Sequence, residues 1–152
     1  HRRPGRRSSF VAPLCVAAHL FACCAASAQT PPAADDTDPI DSAFTACVEK
    51  DPSTAGMIGC AAKAEADWDK ALNAAYAELL RELKGAQQSA LREAQRAWVE
   101  QRNREFALQR SIHGLLEGTM WGPVMADQRV GLVKARTQQL RGYLDFLKQG
   151  RP

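Results

Sequence analysis

Cys47 and Cys60 are the residues of this chain whose type and spacing most directly suggest chemistry. Thirteen positions separate them, so they do not form the C-x-x-C arrangement of a thioredoxin-type redox couple. Their chemistry is expected to be a structural disulfide, or, failing that, two buried thiols. Cys15, Cys23 and Cys24 lie in an N-terminal segment that reads as an export signal, leaving an even pair in the remainder. A bridge closing so short a loop contributes about 3 kcal/mol in the chain-entropy account. Other reactive groups are sparse. His113 is the only histidine after that segment, too few for a catalytic triad or a histidine-rich metal site. No glycine-rich phosphate loop sits between a strand and a helix. The acidic residues mostly have basic neighbours close in sequence, as Glu78 and Glu82 have Lys84 nearby. The reading is therefore non-enzymatic, with no metal and no cofactor. Paired-carboxylate catalysis is the enzymatic rival.

The elements that position these residues follow from pattern. Residues 1–28 carry Arg2, Arg3, Arg6 and Arg7, an apolar run from Phe10 to Ala25, and Ala26-Ser27-Ala28. That succession is the mark of a secretory leader, and the apolar run is short for a bilayer span. Cleavage after Ala28 would release a domain of about 124 residues to the periplasm or the exterior, where disulfides persist. Leu20-Phe21-Ala22-Cys23 is a lipobox-like alternative that would anchor the protein to a membrane through Cys23, although Phe21 is bulkier than usual there. The chain has 20 Lys+Arg and 17 Asp+Glu, and removing the four leader arginines leaves a net charge of −1. A near-neutral domain gives no electrostatic reason to expect nucleic acid or anionic lipid.

Residues 29–39 read as a flexible acidic, proline-containing lead-in, and residues 40–149 as one helical domain. Asp38-Pro39 starts a short helix, a capping carboxylate before proline at the first helical position. Ile40, Phe44 and Cys47 mark its inner face, and Asp51-Pro52 ends it near Lys50. Ser53 or Thr54 caps a second helix with the stripe Met57, Ala61, Ala64, Trp68, Leu72, Ala75, Leu79 and Leu83, stopped by Gly85. A third runs from about Ala86 to Ser111, with Leu91, Ala94, Trp98 and Phe106 inward. Residues 113–123, with three glycines and a proline, read as a loop. A fourth helix follows from about Val124 to Leu147, with Val133, Arg136, Leu140, Tyr143 or Leu144, and Leu147 repeating at helical steps. No strand pattern is present. The fold class is all-α: a small bundle of three long helices plus a short N-terminal helix. Trp68 and Trp98 could stack sugars or bases, but their places on the stripes favour core packing. Trp121, in the loop with Glu117, is either a plug or an anchor for a partner.

The order Cys47, Thr54-x-x-Met57-x-x-Cys60, Trp68-Asp69-x-x-Leu72-Asn73-x-x-Tyr76, then Ala94-Gln95-Arg96-Ala97-Trp98 and Arg102 resembles the lysozyme inhibitor LprI-like N-terminal domain family. The resemblance covers about residues 44–147. It implies an exported helical protein whose partner is another protein, lysozyme or another cell-wall hydrolase; the 113–123 loop, which pairs a carboxylate with an aromatic among glycines, makes Glu117 and Trp121 the candidate contacts. An envelope structural or adaptor protein is the alternative. The resemblance also implies a second cysteine pair, whose places here are Phe106 and Gln128, so the third and fourth helices are expected to be held by packing alone. Asn103 stands where the family usually has aspartate, and Glu117-Gly118-Thr119 matches its Gly-Gly-Ser-like turn.

Overall fold

The computed structural model describes residues 37–150. The leader, the cleavage point, the Cys23 alternative and residues 29–36 of the lead-in lie outside the described residues. Four helices follow in order: α1 (Pro39–Lys50), α2 (Thr54–Glu82), α3 (Gly85–His113) and α4 (Trp121–Gln149), with no strand among the described residues. This is the all-α arrangement of three long helices and one short one.

Local chemistry sets the first boundaries. The Ile40 N–H donates to Asp38 Oδ1 at 2.9 Å, and Pro39 occupies the first turn, where a missing N–H costs nothing. The Gly56 N–H donates to Ser53 Oγ at 3.0 Å, which makes Ser53 the cap of α2. Gly56 is required there, because a Cβ would lie 2.5 Å from the Asp51 carbonyl oxygen. Between α2 and α3 only Leu83 and Lys84 are extended, and Gly85 takes a φ of +54° that favours glycine. The glycine thus opens α3, three positions past the end of α2, rather than stopping that helix.

Cross-helix pairs define the topology. Arg102 of α3 meets Asp69 of α2, and Gln88 of α3 donates to the Leu80 carbonyl, so these helices are antiparallel. Arg136 of α4 meets Gln95 of α3 and Arg129 lies over Phe106, which makes α4 antiparallel to α3 and parallel to α2. α1 runs back along both, with Lys134 Nζ 2.6 Å from Asp41 and Arg141 Nη1 2.6 Å from Asp38.

The core is mainly the α2–α4 seam. Trp68, Leu72 and Leu79 meet Val133, Leu140 and Leu144, all at most 4% exposed. Thr137 is fully buried there, and its hydroxyl donates to the Val133 carbonyl at 2.9 Å, with the Trp68 carbonyl at 3.2 Å. Of Tyr143 and Leu144, it is Leu144 that turns inward. Ala94 is exposed, and α3 buries Leu91, Phe106 and Gln109 instead. Trp98 is half-buried against the core, with Arg102 and Arg136 at 5.3 and 5.9 Å from its ring centroid. The third and fourth helices are joined by more than packing: Arg136 donates twice to Gln95 Oε1, at 3.1 and 3.0 Å, and Arg129 lies 4.2 Å over the Phe106 ring.

Asp38 ties the start of α1 to α4. Burial works to raise its carboxyl pKa, but the Ile40 N–H, the Arg141 hydrogen bond and the charges of Arg141 and Lys134 outweigh it, so the value falls below 3.8. A depressed carboxylate adds stability above its unfolded pKa and loses it as pH falls through the folded value. Asp38→Asn should therefore flatten the acid-side slope of stability below about pH 4 while keeping the cap. At neutral pH it should cost no more than about 1 kcal/mol, because the pair is partly exposed. Thermal melts at several pH values check this, and an unchanged acid-side slope would exclude Asp38 as the titrating group.

Candidate partner-binding surface

The Cys47–Cys60 disulfide forms, with a Cα–Cα separation of 5.8 Å, and fastens α1 to α2. Beside it, where α1 meets the first turns of α2 and α4, lies an open groove of about 530 Å³. Its apolar walls are Phe44 and Val48 of α1, Met57 of α2 and Val124 of α4. Glu49 and Asp127 supply its charge, and no basic side chain among the described residues lines it. Neither carboxylate has a hydrogen-bond or ion-pair partner among the described residues. Glu49 also sits in the last turn of α1, where the helix dipole disfavours an anion. Its position therefore gains nothing for α1.

The surface beside this groove is apolar. Ile58 is 39% and Val124 37% exposed. Ile58 lies close over Gly122, where a Cβ would sit 2.9 Å from its Cδ1, so the start of α4 packs on the first turns of α2. The loop itself is shorter than the expected 113–123. α3 runs through His113, and α4 begins at Trp121 despite Gly122 and Pro123. Pro123 is the third residue of α4, where its absent N–H would have had no intrahelical partner. Glu117 is exposed in the loop, before Gly118 with a φ of +94°. Trp121 is half-buried at the first position of α4, two residues before Pro123 of the groove lining.

The remaining motif residues divide between scaffold and surface. Trp68 and Leu72 are core, Thr54 is the first residue of α2, and Met57 lines the groove. Asp69 accepts from Asn73 at 3.0 Å and from Arg102 at 3.3 Å, while Arg102 also donates to Asn103 Oδ1 at 3.3 and 3.2 Å. Asn103 thus supplies Arg102 with an acceptor from the same helix. Phe106 and Gln128 face different surroundings: Phe106 lies beneath Arg129, and Gln128 lines the α1–α2–α4 groove. Tyr76, Gln95 and Arg96 come together in a separate groove between α2 and α3. Sequence reasoning did not single out Val48, Glu49, Val124 or Asp127 as site residues. The acidic residue in the last turn of α1 was the one available signal. No cluster able to hold a metal ion occurs among the described residues, and no helix among them is long and apolar enough to cross a membrane.

Residues 47–140 match the family described as Lysozyme inhibitor LprI. The crystal structure of an uncharacterized protein from Burkholderia thailandensis is similar, with 34% identity and a TM-score of 0.70. The match covers 74% of this chain and 57% of that one, so the chain spans little more than half the length of that relative. No curated protein matches the chain.

Proposed function

Because the chain belongs to the lysozyme inhibitor LprI family, we propose that it is exported and acts as a non-enzymatic binding domain for a cationic hydrolase of lysozyme type. The observation that carries this reading is the α1–α2–α4 groove, whose charged lining is carboxylate alone. Apolar walls can take up a protruding side chain of the partner, and two unpaired anions steer and register a basic surface. This acidity is local, which reconciles it with a near-neutral domain. Glu117 and Trp121 are proposed as further contacts, one supplying charge from the loop and the other area at the start of α4.

Inhibition of cell-wall lysis by an animal-type lysozyme tests the reading. Glu49→Lys combined with Asp127→Lys should weaken inhibition about tenfold or more at low salt, chiefly through slower association. The melting temperature should hardly move, since both side chains are unpaired. Inhibition by the wild-type protein should itself weaken as salt rises. Absence of lysozyme binding at micromolar concentration would remove the inhibitor reading and leave that of an envelope adaptor.

A further inference from the structure

A second groove, of about 330 Å³, lies between α2 and α3 and has the opposite character. Tyr76 comes from α2, and Arg92, Gln95, Arg96, Val99 and Glu100 come from α3. Arg92 and Arg96 stand one helical turn apart, so their charges repel along the helix. Neither guanidinium has a partner among the described residues, and nor does the Tyr76 hydroxyl. Glu100, which could have paired with Arg96 at the next turn, lies 3.5 Å from Arg104 instead.

Gln95 is a positioned donor. Its Oε1 accepts two hydrogen bonds from Arg136, and Arg136 is held in turn by Gln139 Oε1 at 2.6 Å. With the carbonyl oxygen so engaged, the amide NH2 is the end that remains for a ligand. The groove therefore presents two guanidinium forks, a hydroxyl and an amide, with its lone carboxylate beside Arg104.

We propose that this groove binds a phosphate monoester through Arg92, Arg96, Tyr76 and Gln95. A phosphate monoester carries a charge of about −1.5 to −2 near neutral pH and three acceptor oxygens. That matches two guanidinium groups better than a carboxylate, which balances one. Guanidinium forks bind such oxygens in pairs. The volume admits the phosphate together with a small attached group, which Val99 and the Tyr76 ring would flank. A soluble sugar phosphate and a lipid headgroup share this chemistry. The site is independent of the acidic groove and of the hydrolase reading.

Calorimetric titration of the purified protein with N-acetylglucosamine 1-phosphate tests the site, with N-acetylglucosamine as the uncharged control. Flotation with phosphatidylcholine vesicles, with and without phosphatidic acid, tests the lipid source. The sugar phosphate should bind saturably and the uncharged sugar should not. Arg92→Ala with Arg96→Ala should weaken binding about tenfold or more, with an unchanged melting temperature, because both side chains are exposed and unpaired. Tyr76→Phe removes one hydroxyl without changing charge and should weaken binding about threefold to tenfold. Both variants should still behave as the wild-type protein does towards lysozyme. Binding to phosphatidic acid vesicles alone, weakened by both variants, would support the site and assign the phosphate to a lipid. No binding to either source, or equal binding by the double variant, would overturn the proposal.

Discussion

Trp68→Ala should lower the unfolding free energy by about 3–5 kcal/mol, the range for removing a large buried aromatic side chain. Trp68 is fully buried in the α2–α4 seam and is the largest of the fully buried side chains. Its ring also carries the α1 connection. Lys134 and Arg141 lie 5.7 and 5.3 Å from its centroid, and the same two cations pair with Asp41 and Asp38. Removing the indole therefore opens a cavity and withdraws the surface under both cations. The melting midpoint should fall by at least about 10 °C. Trp68→Phe should cost clearly less. The indole Nε1 is buried without an acceptor, so phenylalanine forfeits volume but no hydrogen bond. Thermal and urea unfolding of both variants measures this, and equal losses would show that volume is not what the site requires.

Loss of the disulfide is the second large effect. Cys47→Ser with Cys60→Ser, or reduction, should cost about 3 kcal/mol in the chain-entropy account. The loss should concentrate in α1. That helix has no fully buried residue and rests on half-buried Ile40 and Phe44, the disulfide and two partly exposed ion pairs. Such pairs each contribute about 1 kcal/mol or less. α1 should therefore open before α2, α3 and α4 lose their helicity, and protease should cut within residues 39–53. Phe44, Val48 and Glu49 leave the groove with it, so inhibition of lysozyme should fall in parallel. Mass mapping of proteolytic fragments with and without reductant reads the first effect and a lysis assay the second. An unchanged cleavage pattern after reduction would show that packing alone holds α1.

Much of this molecule is determined by interactions within a few residues. Asp38-Pro39 and Asp51-Pro52 bound α1, and Ser53 caps α2, because capping and proline geometry act locally. The stripe from Ala61 to Leu79 identified the buried face of α2, since one long helix shows one face to one seam. The Cys47–Cys60 bridge was legible for a related reason: two helix ends joined by a short turn bring those positions together. The tertiary structure decided what depends on several helices at once. It turned Leu144 inward over Tyr143 and left Ala94 exposed, because α4 meets α1, α2 and α3 while α3 covers only part of the core. It began α4 at Trp121, since a proline in the first turn breaks no hydrogen bond, a fact that composition alone reads as a loop. It also assembled both grooves. Glu49 and Asp127 are 78 positions apart, and Tyr76 and Arg96 belong to different helices. Shared surfaces of this kind arise from helix packing, which no local periodicity encodes.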